Sequence, residues 1–215
     1  MEHGKKIATS ALLGDELIQS PRKIITHSIK ISAPSEKVWP WLVQLGSGRA
    51  GWYSYDRIDN GGKPSAKQII PELQNIKVGD IMPAVPDSKD AFIIQEVKPS
   101  KAIVLVVPIQ TSTEVPNPLQ RTTGHLRVSW LLMLESLDKG KTRLISRGRI
   151  SNDWLTQSKV STFPRRQIFI ERVYSLLAKM PWFILLPFAL IGHSIMESRM
   201  LRGIKQRVEL ESKIN

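Results

Sequence analysis

Asp56 and Asp59 stand three residues apart in Tyr-Asp-Arg-Ile-Asp, so on a helix they share one face. Paired carboxylates can divide acid and base duties when their surroundings split their pKa values. The same spacing also serves helix capping or pairing with Arg49 and Arg57. Tyr53 and Tyr55 can orient a ligand carbonyl by hydrogen bonds, and His193 can serve as a base or sit as a core or interfacial histidine. Glu197 with Arg199 and Arg202 reads as a polar head-group contact or as intrahelical charge pairing. His27 lies in phase with Ile25, Ile29 and Ile31 and reads as a satisfied core histidine.

Other chemistries lack their residues. The chain has no cysteine, which excludes disulfides, thiol nucleophiles and cysteine-ligated metals. It carries no zinc-type His spacing, nucleophile elbow, phosphate loop or dinucleotide fingerprint, so no cofactor and no metal are expected.

The elements that must position these residues follow from pattern. Three of the six tryptophans and two of the three tyrosines fall between Trp39 and Asn60, in a helix broken by Gly46, Gly48 and Gly51. Rings beside a glycine-broken helix suit either the mouth of an apolar pocket or a packed corner. Lys23 to Ala33 alternates as a half-buried strand, and Ser35 is placed to cap a helix through Leu45. Short strands are expected at Ile76 to Met82, Ala91 to Val97 and Ala102 to Val107. Longer ones are expected at Gly124 to Leu137 and Thr142 to Ile150. Arg143, Arg147 and Arg149 share the outer face of the last strand, which reads as solvated. Helical phasing returns at Arg165 to Lys179. The run Met180 to Met196 is apolar on every side but interrupted by Pro181, Pro187 and Gly192. It reads as a buried helix or a segment lying in a bilayer interface rather than a span. Ser194 to Leu210 is amphipathic, with Met196, Met200, Leu201, Ile204 and Val208 in its stripe.

A net charge of +12 at pH 7 favours anionic membrane surfaces as partners. Basic stripes with interleaved aromatics are missing, so nucleic acid is not an expected partner. The N-terminus lacks an uninterrupted apolar core, so a cytoplasmic location is expected, with peripheral membrane contact as an option. Residues 1–22 read as a loosely ordered arm and residues 23–213 as one domain, with the apolar segment 180–196 inside its C-terminal helical region.

One strand, two short helices, a run of antiparallel strands and a long last helix make an α+β order. Together with A-P-S-E-K-V-W-P-W-L-V-Q-L-G, G-R-A-G-W-Y-S-Y-D, I-K-V-G-D and M-E-S-R-M-L-R-G-I-K, this order resembles the START-like (SRPBCC) superfamily. The nearest branch is the bacterial one labelled polyketide cyclase/dehydrase and lipid transport. The resemblance implies a helix-grip fold: a curved antiparallel sheet wrapped on the C-terminal helix around an internal hydrophobic cavity. It implies non-catalytic binding or transport of a hydrophobic small molecule or lipid. The expected lining is Trp52, Tyr53, Tyr55, Asp56, Trp130, Leu132, Met196 and Met200. The alternatives are a cofactor-independent cyclase-like or hydrolase-like enzyme using Asp56, Asp59 or His193, and a protein docked on membranes through its apolar segment.

Overall fold

The computed structural model describes residues 10–86, 91–108, 126–152 and 182–214, with the side chains of the last helix described over 190–213. The helical phasing expected at Arg165 to Lys179 and the first residues of the strand expected from Gly124 lie outside these residues.

Six strands form one antiparallel sheet: β1 (Lys23–Ile31), β2 (Ile81–Pro83), β3 (Ala91–Lys98), β4 (Ala102–Pro108), β5 (Leu126–Leu137) and β6 (Lys141–Ile150). Their order across the sheet is β1-β6-β5-β4-β3-β2. Among the described residues the first strand therefore pairs with the last, Lys23 opposite Ile150 and Ile31 opposite Thr142. Tight turns join β3 to β4 and β5 to β6, as short polar connections between β-branched runs require. The strand expected from Ile76 shrinks to Ile81–Pro83, because Lys77 to Asp80 closes a turn with Gly79 in the left-handed region.

Helix α1 (Ser35–Val43) and a single turn, α2 (Asp56–Asp59), lie in the β1–β2 connection. The sheet wraps on the long α3 (Trp182–Ile214), which makes this the expected α+β helix-grip arrangement. Helix α1 ends two residues earlier than expected and starts after Pro34 rather than from a Ser35 cap. Arg49 donates to the carbonyls of Val43 and Leu45, both at 2.9 Å, satisfying acceptors that a helix end leaves open.

Met200, Leu201, Ile204 and Val208 are buried as the stripe predicted. They meet Trp41 and Leu42 of α1 and Leu105, Leu132 and Leu144 of the sheet in one apolar cluster. Over the described residues these side chains pack between sheet and helix. The far end of α3 is latched to the start of the domain. Glu211 accepts from the Trp41 indole at 3.0 Å, and Glu209 accepts from the Ser32 backbone at 2.8 Å. Among the described residues no helix is long and apolar enough to cross a membrane.

The outer face of the sheet differs from its expected solvated character. Residues 10–22, expected as part of a loose arm, are tied across it. Leu12, Leu13 and Leu17 cover Ala102, Val104 and Leu131. Asp15 faces Arg147 at 2.8 Å and Arg149 at 3.3 Å, and Arg147 is only 2% exposed. The physical reason is joint: apolar side chains on the arm cover apolar sheet surface, and one carboxylate offsets two guanidinium charges.

Candidate functional site

The glycine-broken stretch folds into a corner pinned from several sides. Gly46 and Gly51 exchange backbone hydrogen bonds at 3.2 and 3.0 Å. Gly51 has φ +80°, and a Cβ there would lie 2.9 Å from Ser65 Cβ, so the position needs glycine. Asp56 accepts from both the hydroxyl and the backbone N–H of Ser65, and Ser65 Oγ in turn accepts from the Tyr53 backbone at 3.1 Å. Asp59 is buried and accepts from the Tyr55 backbone at 3.3 Å. Burial pushes its carboxyl pKa up. These two carboxylates brace a loop, and the structure does not bring them to His193.

The aromatic residues expected to line a pocket mostly line each other. Trp52 packs on Phe92 and Trp130 with ring centroids 5.7 and 5.6 Å apart. Tyr53 meets Trp41 edge-on at 5.8 Å, accepts from Gln44 Nε2 at 2.7 Å and carries the Arg207 guanidinium 4.3 Å over its ring. Burial pushes its phenol up to about 12. Arg207 is thus a packing residue. Leu132 and Met200 are core, and Met196 is half-buried, its carbonyl accepting from Ser54 Oγ at 3.0 Å. Tyr55 alone of this group is exposed, with Arg199 5.9 Å over its ring.

Helix α3 comes closest to this corner at Gly203. A Cβ there would overlap the Tyr53 carbonyl oxygen and sit 2.8 Å from Tyr53 Cβ. Gly203→Ala is expected to destabilise the fold by about 2 kcal/mol, because overpacking against backbone outweighs the helix-propensity gain. A urea titration followed by tryptophan fluorescence measures this; an unchanged or higher midpoint would show that helix and loop separate freely.

A different polar cluster lies where β1, β6 and α3 meet. Trp130 Nε1 donates to Ser146 Oγ at 2.7 Å, and the Ser146 hydroxyl donates to Glu197 Oε1. The other carboxylate oxygen, Oε2, faces His27 Nε2 at 3.4 Å and His193 Nε2 at 3.8 Å. The Glu197 side chain is 1% exposed, those of His27 and His193 27% and 44%. Neither Glu197 Oε2 nor His27 Nε2 has a hydrogen-bond partner of good geometry. Burial raises the Glu197 carboxyl to about 7, against the help of its Ser146 hydrogen bond. Burial lowers both imidazoles, and His27 lowers His193 further. At neutral pH the cluster therefore resists charge on all three members. Among the described residues no group of three such side chains has metal-holding geometry.

Intrahelical pairing of Glu197 with Arg199 and Arg202 is not what forms. The signal was in the phase: Glu197 repeats with Leu201, Ile204 and Val208 on the buried stripe, not with the arginines. His27 holds the same kind of position among Ile25 and Ile31 of β1. Two polar residues on facing apolar stripes meet.

His27 also lines a cleft of about 860 Å³ between β1 and α3. Its walls are Ile24, Ile25, Ile191 and Ile195, and Tyr55 closes one side. Lys23, Arg199 and Arg202 supply positive charge around it. Among the described residues β1 pairs with β6 alone, which leaves its other edge toward this space.

No protein-family model matches the chain, and no curated protein does either. Solved structures are similar at low identity. A Mesorhizobium loti protein, MLL2253, is 14% identical with a TM-score of 0.40, over 87% of this chain and 97% of that one. A Nitrosospira multiformis protein is 13% identical with a TM-score of 0.41, over 89% and 99%. The Zhui aromatase/cyclase of a Streptomyces species is 13% identical with a TM-score of 0.36, over 87% and 93%. At these identities the likeness concerns the fold and nothing further.

Proposed function

We propose that this protein binds an apolar small molecule or lipid, without catalysing its conversion, in the cleft between β1 and α3. The observation that carries the reading is the cleft itself. Its volume of about 860 Å³ lies within the range of small-molecule sites, and isoleucines of both β1 and α3 share its lining with polar and charged groups. The expected lining changes accordingly: Tyr55 stays, while Trp52, Tyr53, Trp130, Leu132 and Met200 support from the core.

Native mass spectrometry of the purified protein, with and without a fluorescent fatty-acid probe, tests the reading. Ile195→Glu is expected to weaken probe binding at least about tenfold by placing a charge against the acyl chain. Ile195 is 52% exposed, so the fold should tolerate the change within about 0.5 kcal/mol. Probe uptake unaffected by Ile195→Glu would reject this cleft as the site.

A second reading draws on the same surface. Ile191 and Ile195 are exposed beside Arg199 and Arg202, the composition of a helix face that rests on an anionic bilayer. Flotation with anionic liposomes separates the two, since docking requires no uptake of single lipid molecules.

A further inference from the structure

His27 is turned so that its two ring nitrogens meet different surroundings. Nε2 is buried against Glu197 Oε2, while the ring itself lines the cleft and is partly exposed. The ring edge left for the cleft carries Nδ1. A neutral imidazole holds one proton, and the partner of one nitrogen decides the state of the other. Above about pH 7 the Glu197 carboxyl is ionised, and its Oε2, 3.4 Å from Nε2, favours the proton there, which leaves Nδ1 as an acceptor.

We propose that Glu197, in its carboxylate form, fixes His27 in the Nε2-protonated form, so that the cleft then selects an apolar ligand bearing a hydroxyl that donates to His27 Nδ1. This rests on the cleft-binding reading and names the ligand class within it. Here Glu197 is a positioning residue, since it is buried and acts through His27. Ser146 holds its other oxygen, and Trp130 holds Ser146 in turn, which fixes the orientation of the carboxylate. A ketone of equal length offers no donor, so it leaves Nδ1 unpartnered. An ammonium group would donate, but it would enter among Lys23, Arg199 and Arg202.

The test compares n-decanol, methyl octyl ketone and decylamine by calorimetry or tryptophan fluorescence. It is run at about pH 8.5, above the Glu197 value of about 7, where the carboxyl is ionised. The expected result is n-decanol bound about tenfold more tightly than the ketone, with the amine weaker than the alcohol. Glu197→Gln is close in shape and reverses the hydrogen-bond logic. Its amide oxygen takes the Ser146 hydroxyl and its NH₂ faces His27 Nε2, which moves the imidazole proton to Nδ1. The alcohol-to-ketone ratio should then collapse toward one, chiefly because the ketone gains. His27→Phe should also bring the ratio near one, by loss of alcohol binding. Loss of packing alone would weaken both probes together and keep the ratio, which would overturn the role given to Glu197. Equal binding of all three probes to the unaltered protein leaves the cleft as a site and rejects the anchor. A tighter amine rejects the hydroxyl. If no probe binds, both the cleft reading and the anchor fall.

Discussion

Asp15→Ala is expected to lower the unfolding free energy by about 3 kcal/mol, because it removes the carboxylate facing two guanidinium groups on the covered outer face of the sheet. Arg147 would keep its hydrogen bonds to Thr26 Oγ1 and the Ser10 carbonyl but stay buried without this anion. The loss should spread to the arm, since Asp15 Oδ2 also accepts from the Leu12 backbone at 2.9 Å. Faster amide exchange across residues 10–22 would accompany the lower denaturation midpoint. The double change Asp15→Leu with Arg147→Met should recover most of the stability, because a buried ion pair replaced by apolar groups of similar size is often neutral. A single Asp15→Ala variant as stable as the parent would show that the arm contributes nothing to the domain.

Glu197→Gln is expected to change how stability depends on pH. The Glu197 carboxyl rises from an ordinary 4.5 to about 7 in the folded protein. Its proton therefore binds more tightly in the folded than in the unfolded chain. The associated stability is fully present below about 4.5 and is lost as pH rises to about 7. The full difference corresponds to about 3 kcal/mol. His27 and His193 act in the opposite sense. Their lowered values give stability that is present above 6.5 and lost as pH falls through their folded-state values. An amide resembles the protonated carboxyl at every pH. The variant should thus match the parent near pH 4.5 and gain on it through neutrality, by up to about 3 kcal/mol above pH 8. Denaturant melts at a series of pH values measure this. Parallel stability curves for the two proteins would mean that Glu197 titrates as an exposed carboxyl does.

Much of the fold was legible because side-chain period and burial agree. Ile25 and Ile31 alternate as a strand facing the core, and the Met200 to Val208 stripe repeats as a helix does. The site was less legible, for reasons that differ by residue. Trp52 and Trp130 look like ligand-facing rings, yet sequence cannot tell a ring packed on a ligand from one packed on another ring. Arg147 and Arg149 look solvated because nothing in β6 announces that Asp15 will pair with them or that three leucines will cover the neighbouring strands. Asp56 and Asp59 have catalytic spacing, but the partners that decide their roles are Ser65, beyond a glycine turn, for Asp56 and the Tyr55 backbone for Asp59. Glu197 was misassigned by neighbours in sequence instead of neighbours in phase.

The pairing of β1 with β6, and the latch of Glu209 and Glu211 onto Ser32 and Trp41, have a kinetic consequence. Strand β1 waits for β6, more than a hundred residues further on, and the core waits for α3. A polypeptide still emerging from the ribosome can form hairpins such as β3–β4 but cannot close its apolar interior. Non-local order of this kind slows folding and prolongs the exposure of sticky intermediates. The demand that synthesis of this protein places on chaperones therefore lasts until α3 has left the ribosome.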